Sequence, residues 1–200
     1  MTKSISQSMI TERKNIINER ISKLERFVLE ENMPNLAKKA FEINLRHLRE
    51  EYKQLELLKK NLTAVAAAIT AGVIGSVVSV YVMSMVFKLE HVHYVSLLPK
   101  SITTAIGMGV SEEAGGIVTM TIVSIILTGI LGNIVADGWF KLVGIKEPIA
   151  KGLALGTSAH AIGTAKALEL GEVEGAMSSL SIAVAGLMTV VAVPIMSGLL

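Results

Sequence analysis

The sequence predicts an all-α protein in two parts. A soluble, coiled-coil-like helical hairpin occupies 1–60. An integral membrane helical domain with broken or re-entrant polar segments occupies 61–200. Three observations predict this division. The charge is uneven: 13 of the 19 Lys and Arg and 9 of the 17 Asp and Glu fall within the first 60 of 200 residues. The remainder carries long apolar runs of the length and composition of membrane spans. Between those runs lie two stretches, 98–116 and 151–175, dense in Gly, Ser, Thr and Ala. Small residues let backbones approach closely. Non-helical backbone at membrane depth is tolerated only where protein or a wet cavity surrounds it.

Composition also excludes function classes. The chain has no cysteine, so disulfides, thiolate metal sites and a cysteine nucleophile are ruled out. The formal net charge is +2. The basic excess lies in 1–60, where acids are interleaved with it, which describes a solvated helix surface rather than a nucleic-acid patch. No nucleic-acid partner is expected. The polar N-terminus lacks the apolar core of a cleavable signal peptide, so insertion is assigned to the first apolar run.

Taken in order, 1–8 is polar and expected to fray. A helix is expected from about Ile10 to Glu31, with Ile17, Ile21, Leu24 and Val28 on one stripe. Asn32, Met33, Pro34 and Asn35 break it, and Pro suits the first turn of a following helix. That second helix starts near Asn35. Phe41, Leu45, Leu48, Tyr52 and Leu55 follow heptad spacing along it. The two stripes predict an antiparallel hairpin or a bundle with another subunit. No Pro or Gly occurs from Asn35 to Ala71, so the helix is expected to continue into the first span.

That span is placed at 62–87. Ala68, Gly72 and Ser76 recur every fourth residue, as do Gly75 and Ser79, the spacing of close helix packing. His91 and His93 follow in a stretch expected to be a solvated loop, since two imidazoles are too few for a metal site. Segment 98–116 is too polar and too short for an ordinary span. The second span is placed at 117–136, with Ser124, Thr128 and Gly132 as packing points and Trp139 and Lys141 at an interface. Segment 151–175 follows. The last span is placed at 176–200, with Ser179, Ala183 and Gly186 as packing points and a kink at Pro194.

Lys59 and Lys60 flank one end of the first span, and Lys141, Lys146 and Lys151 the far end of the second. Both basic ends face the cytoplasm only if 98–116 returns to the side it came from. An internal repeat supports that reading. Ala105-Ile106-Gly107 recurs as Ala161-Ile162-Gly163, and at the same offset Glu113 meets Glu169. One crossing between two such units sends them into the membrane from opposite faces, as in inverted-repeat transporters whose broken segments meet near the midplane.

The candidate substrate-binding residues lie in these two segments. Lys100 supplies positive charge for an anion, and Ser101, Thr103 and Thr104 supply hydroxyls. Thr157, Ser158 and His160 are their counterparts in the second segment; a histidine titrates near neutrality and can carry a proton. Each also has a plain structural reading, as broken-backbone partner, snorkelling lysine or packing histidine. Gly107 and Gly163 are candidate hinges. Glu113 and Glu169 are candidate proton-coupling groups, although acids of this kind more often cap a wet helix end. No catalytic residue, metal site or cofactor is expected, because no Ser-His-Asp order, zinc signature or phosphate loop occurs in the required context.

Three stretches carry a resemblance to a known family: LLPKSITTAIGMGVSEEAGG (97–116), ILTGILG (126–132) and IKEPIAKGLALGTSAHAIGTAKALELGEVEGAMSSL (145–180). They resemble the LrgB/CidB family of bacterial membrane proteins, and a weaker likeness extends back to about Tyr52. The resemblance implies an antiholin-like or holin-like protein of the bacterial cytoplasmic membrane. It is linked to control of murein hydrolase export, autolysis and programmed cell death. Its plant plastid relative moves glycolate and glycerate, and bacterial members are associated with pyruvate. The expected activity is therefore movement of small organic anions, with a non-transporting antiholin-like regulator or oligomeric pore modulator as the alternative. The expected partners are the lipid bilayer, a small organic anion, an LrgA/CidA-type membrane protein and further copies of the chain. The N-terminus is expected in the cytoplasm. Family members begin with further spans where this chain has 1–51. That departure fits a shortened member, a chimera, or an oligomer that completes the missing half.

Overall fold

The computed structural model describes residues 2–29 and 34–200, and side chains from residue 6 onward. Seven helices are present among the described residues: α1 (Thr2–Val28), α2 (Asn35–Phe87), α3 (His91–Leu97), α4 (Thr104–Glu113), α5 (Val118–Val143), α6 (Pro148–Leu170) and α7 (Glu172–Ser197). The chain divides into two compact units, Met1–Leu62 and Thr63–Leu200.

The first unit is an antiparallel hairpin. Ile17 and Leu45 are its buried centre, and Ile21, Leu24, Leu48, Tyr52 and Leu55 are half-buried around them. The apolar stripes read from the sequence therefore face one another. Charged pairs bridge the two helices in the same antiparallel register: Arg49–Glu25 at 2.6 Å, Lys14–Glu56 at 2.8 Å and Arg13–Glu51 at 2.8 Å. Lys14 Nζ also lies 4.4 Å from the Tyr52 ring centre. The Glu56 hydrogen bond, with Tyr52 adding to it, holds the Lys14 ammonium above its usual pKa. Helix α1 starts at Thr2, so 2–8 is helical where fraying was expected. The break placed at Asn32 and Met33 lies outside the described residues. Helix α2 begins at Asn35, with Lys38 N–H donating to Pro34 O. It continues into the first span, as the absence of Pro and Gly up to Ala71 predicts, and runs on past Gly72 and Gly75 to Phe87. Lys88 ends it in a left-handed conformation (φ 51°).

In the second unit, three helices among the described residues are long and apolar enough to cross a membrane: α2, α5 and α7. Their outward faces carry Ile74, Val78, Leu127, Ile134, Leu187 and Val191, all exposed, the composition a lipid-facing surface requires. Helix α5 runs seven residues past the predicted end at 136, keeping Trp139 and Lys141 within the helix. Helix α7 starts earlier than expected, at Glu172, and continues through Pro194 to Ser197. His91 and His93 belong to α3 rather than to a loop.

Both polar segments reverse direction inside this unit. In the first, α3 runs back along α2. Tyr94 meets the Tyr81 ring at 6.1 Å, and Ser101 accepts a hydrogen bond from Ser76 at 3.0 Å. The turn at 98–103 then sends α4 the other way, and Ile117 N–H returns to Ser96 Oγ at 2.7 Å. In the second, His160 breaks α6 with φ 42° and ψ −133°. Eight residues of straight helix would separate Leu155 and Gly163 by about 12 Å. Instead a Cβ at Gly163 would lie 2.6 Å from Leu155 O. Helix α6 is therefore two half-helices, 148–159 and 161–170, folded into a hairpin.

Neighbours give the directions. Along α7, Gly152 sits on Glu174 and Gly156 on Ser178 and Ser181, so the first half of α6 runs parallel to α7. Thr164 bonds Ser178 at 2.7 Å and Gly175 sits on Leu168, so the second half runs antiparallel to it. Glycine is what allows the first contact: a Cβ at Gly156 would overlap Ser181 Oγ and the Ser178 carbonyl. The packing residues of α7 are thus Met177, Ser178, Ser181 and Ala185, all buried. Ser179 and Ala183, expected in that role, are exposed. Gly75 likewise has nothing within contact of its Cβ position, and Ser79 is exposed, so that small-residue stripe packs on nothing within the unit.

Candidate functional site

The two hairpins come from opposite ends of the second unit and meet in its interior. Hairpin one starts from the Phe87 end of α2, and hairpin two from the Val143 end of α5. Their meeting point is Ile125 of α5, fully buried. Its side chain lies against Gly107, where a Cβ would come within 2.5 Å of Ile125 Cδ1. Its carbonyl oxygen lies 2.8 Å from His160 Nε2. Gly129 leaves room for the imidazole, since a Cβ there would meet His160 Cε1 at 2.8 Å. His160 is thus tied to α5 and holds the tip of hairpin two.

Lys100 is at the tip of hairpin one. Its Nζ donates to Ser101 Oγ at 3.0 Å and to Ser76 Oγ at 3.3 Å. Ser76 is near the middle of the 63–87 part of α2, about 20 Å from one end and about 17 Å from the other at 1.5 Å per residue. Among the described residues no carboxylate pairs with Lys100; its partners are hydroxyls. An ammonium at that depth without a counter-ion is expensive, and such groups mark ion or substrate sites.

A cavity of about 630 Å³ opens beside it, between α2, α5 and the first half of α6. Lys100, Thr128, Thr157 and Ser158 bring polar atoms to its wall. Ala68, Gly72 and Gly132 supply space, and Trp139, Phe140 and Ile145 line it toward the far end of α5. Lys100 is the one charged residue of that lining. A neighbouring cavity of about 510 Å³ shares Phe140 and Ile145 and is lined by Lys141, Lys146, Lys151 and Asp137. Positive charge therefore gathers at the approach, where it raises the local concentration of anions.

The sequence-named residues fall in distinct places. Lys100, Thr157 and Ser158 line the cavity, and Ser101 holds Lys100. Thr157 and Ser158 hydroxyls also donate to the Leu153 and Ala154 carbonyls, at 2.8 and 2.6 Å, so each retains lone pairs rather than a free proton. Thr103 is the N-cap of α4 without a side-chain cap bond, and Thr104 begins that helix. Neither lines the cavity, and nor does His160. Gly107 sits on Ile125, whereas Gly163 packs inside its own hairpin. Glu113 ends α4, exposed. Glu169, also exposed, is 3.4 Å from Lys166, which pairs with Asp137 at 2.8 Å. The two acids occupy equivalent places at the outer ends of the hairpins.

Ser76, Thr128, Trp139 and Phe140 are site residues that sequence reasoning did not place. Ser76 and Thr128 were visible only as members of small-residue stripes. Those stripes do pack, as Gly72 on Thr157 and Gly132 on Ala159 show. They also form the cavity wall.

The chain has counterparts among known proteins by sequence. The LrgB-like family matches residues 50–199. The chain is similar to a protein named antiholin-like protein LrgB from Bacillus mycoides (strain KBAB4), at 42% identity over 143 residues. It is also similar to proteins of the same name from Bacillus cereus (strain B4264) and Bacillus anthracis (strain CDC 684 / NRRL 3495), at 41% identity over 143 residues each. In each case the match covers 72% of this chain and 62% of the relative, so the chain spans about three fifths of their length. No solved structure matches. A membrane unit that carries the distinctive polar segments, matched over three quarters of the chain, places this protein: it belongs to the LrgB-like family.

Proposed function

We propose that this protein binds small organic anions between the tips of its two hairpins and moves them across the bacterial cytoplasmic membrane. The observation that carries the reading is Lys100, an ammonium at half depth whose partners are the Ser76 and Ser101 hydroxyls. A carboxylate entering the cavity supplies the missing charge, and Thr128 is within the same wall. The lysines beside the cavity favour approach by anions. In the inverted arrangement, motion of one hairpin against the other around Ile125 exposes the site alternately to the two sides.

Orientation follows from charge in this reading. The end of the membrane unit that holds the Val143 terminus of α5 carries Lys141, Lys146, Lys151 and Lys166, while Lys88 is the lysine of the other end. The positive-inside rule places the first end in the cytoplasm, together with the N-terminal hairpin. The soluble role of 1–60, an LrgA/CidA-type partner and self-association belong to the same proposal. So does the family link to murein hydrolase export and autolysis. Glycolate, glycerate and pyruvate are the first substrates to test. The reading is one of transport rather than enzymatic chemistry.

A second reading is a non-transporting antiholin-like regulator. The unpacked Gly75–Ser79 stripe favours it, because small residues that pack on nothing within the unit suit contact with another membrane helix. Uptake of labelled glycolate, pyruvate and glycerate by proteoliposomes separates the two. Saturable uptake lost in Lys100→Gln and kept in Gly75→Ala supports transport. Absence of uptake by correctly inserted protein supports the regulator.

A further inference from the structure

The size and wall chemistry of the cavity say more about its ligand than its charge does. At about 630 Å³ the space is roughly twenty times the volume a water molecule occupies in the liquid. Cavities of this size commonly bury ligands much larger than a two- or three-carbon acid. Its polarity is also one-sided. Lys100, Thr128, Thr157 and Ser158 hold the polar end. Along α5 the wall then becomes Val135, Trp139 and Phe140, and on the α6 side it is Leu153 and Ala154. A glycolate at Lys100 would leave that apolar wall facing water or lipid.

We infer that the preferred ligand is an amphipathic monocarboxylate, its carboxylate on Lys100 and an aliphatic or aromatic body lying along α5 toward Trp139 and Phe140. The inference rests on the anion-binding reading above and specifies its ligand class. One charged residue in the lining matches one carboxylate. The apolar body replaces solvent along Val135 and Leu153, and burial of each methylene tightens binding about fourfold. Discrimination therefore comes from the length of the body, with the head common to all such acids.

Trp139 is the chain's sole tryptophan and reports occupancy directly. The test is a fluorescence titration of the full chain in nanodiscs with acetate, butyrate, hexanoate and phenylpropanoate, alongside Lys100→Gln and Val135→Ser. Val135 is 52% exposed, so its substitution leaves the packing intact. The expected result is affinity that rises at least about tenfold from acetate to hexanoate. Lys100→Gln abolishes the saturable signal for every acid and so separates site binding from partition into lipid. Val135→Ser weakens hexanoate by about threefold or more and leaves acetate unchanged. A saturable, Lys100-dependent signal of equal affinity across the series overturns this inference and leaves the anion site standing. Absence of any Lys100-dependent signal overturns both.

Discussion

Residue 160 is predicted to reverse the ordinary order of alanine and glycine. Within a continuous helix, alanine is more stable than glycine by about 1 kcal/mol. His160 has φ 42° and ψ −133°, a region that side chains with a Cβ occupy only under strain of about 1–3 kcal/mol. His160→Ala keeps the strain. It also loses the 2.8 Å contact with Ile125 O, worth about 1 kcal/mol, and the packing of a ring that is 3% exposed. His160→Gly loses the same contacts and releases the strain. It gives back about 0.5–1 kcal/mol through the freer unfolded chain. The glycine variant should thus unfold at up to about 2.5 kcal/mol higher free energy than the alanine variant, with both below the parent. Reversible unfolding in mixed micelles, followed by circular dichroism, measures the difference. An alanine variant more stable than the glycine variant would mean that α6 passes through residue 160 as ordinary helix, and the hairpin would be wrong.

Four further outcomes follow from packing, hydrogen bonding and charge. Gly156→Ala should cost about 1–3 kcal/mol, because its Cβ overlaps the Ser178 carbonyl on α7. Gly75→Ala, with open space around it, should be neutral or stabilising by up to about 1 kcal/mol in the same unfolding assay. Ser96→Ala should cost about 1–3 kcal/mol, because Ile117 N–H loses its 2.7 Å acceptor inside a buried cluster with Ser111 and Thr121. Arg49→Ala should change stability by less than about 1 kcal/mol, since its bond to Glu25 is solvent-exposed at both ends and salt screens it.

The hairpin of the first unit was legible because a half-wet helix writes its buried face as a stripe. Ile17 and Leu45 stand where the heptads put them. The two polar segments were legible because Gly, Ser and Thr stand out against apolar spans. Their opposed directions followed from the lysine flanks and the repeat of Gly107 and Gly163. Of the packing face of α7 only Gly186 was legible, buried with Ile106 Cδ1 3.4 Å from its Cβ position. In a lipid-facing helix both sides are apolar, and small residues occur on both, so Ser179 and Ala183 looked as suitable as Ser178 and Ser181. The break in α6 was not legible either. It falls on a histidine rather than on Gly156 or Gly163, and it is held there by Ile125 and Gly129, more than thirty residues earlier. The cavity needed three helices to be set side by side before Ala68, Gly72 and Thr128 could be seen as its wall.

The candidate site forms only if the two hairpins enter from opposite faces and neither crosses. The chain has no cysteine, so single substitutions report sidedness without background. The measurement is labelling of Glu90→Cys, Glu113→Cys, Lys146→Cys and Glu172→Cys by a membrane-impermeant maleimide, in vesicles of both orientations. All four positions are exposed. Glu90→Cys and Glu113→Cys are expected to label from one face, and Lys146→Cys and Glu172→Cys from the other. Labelling of either pair from two different faces would show that its segment spans the membrane, and the meeting of hairpin tips at Ile125 could not then form the site.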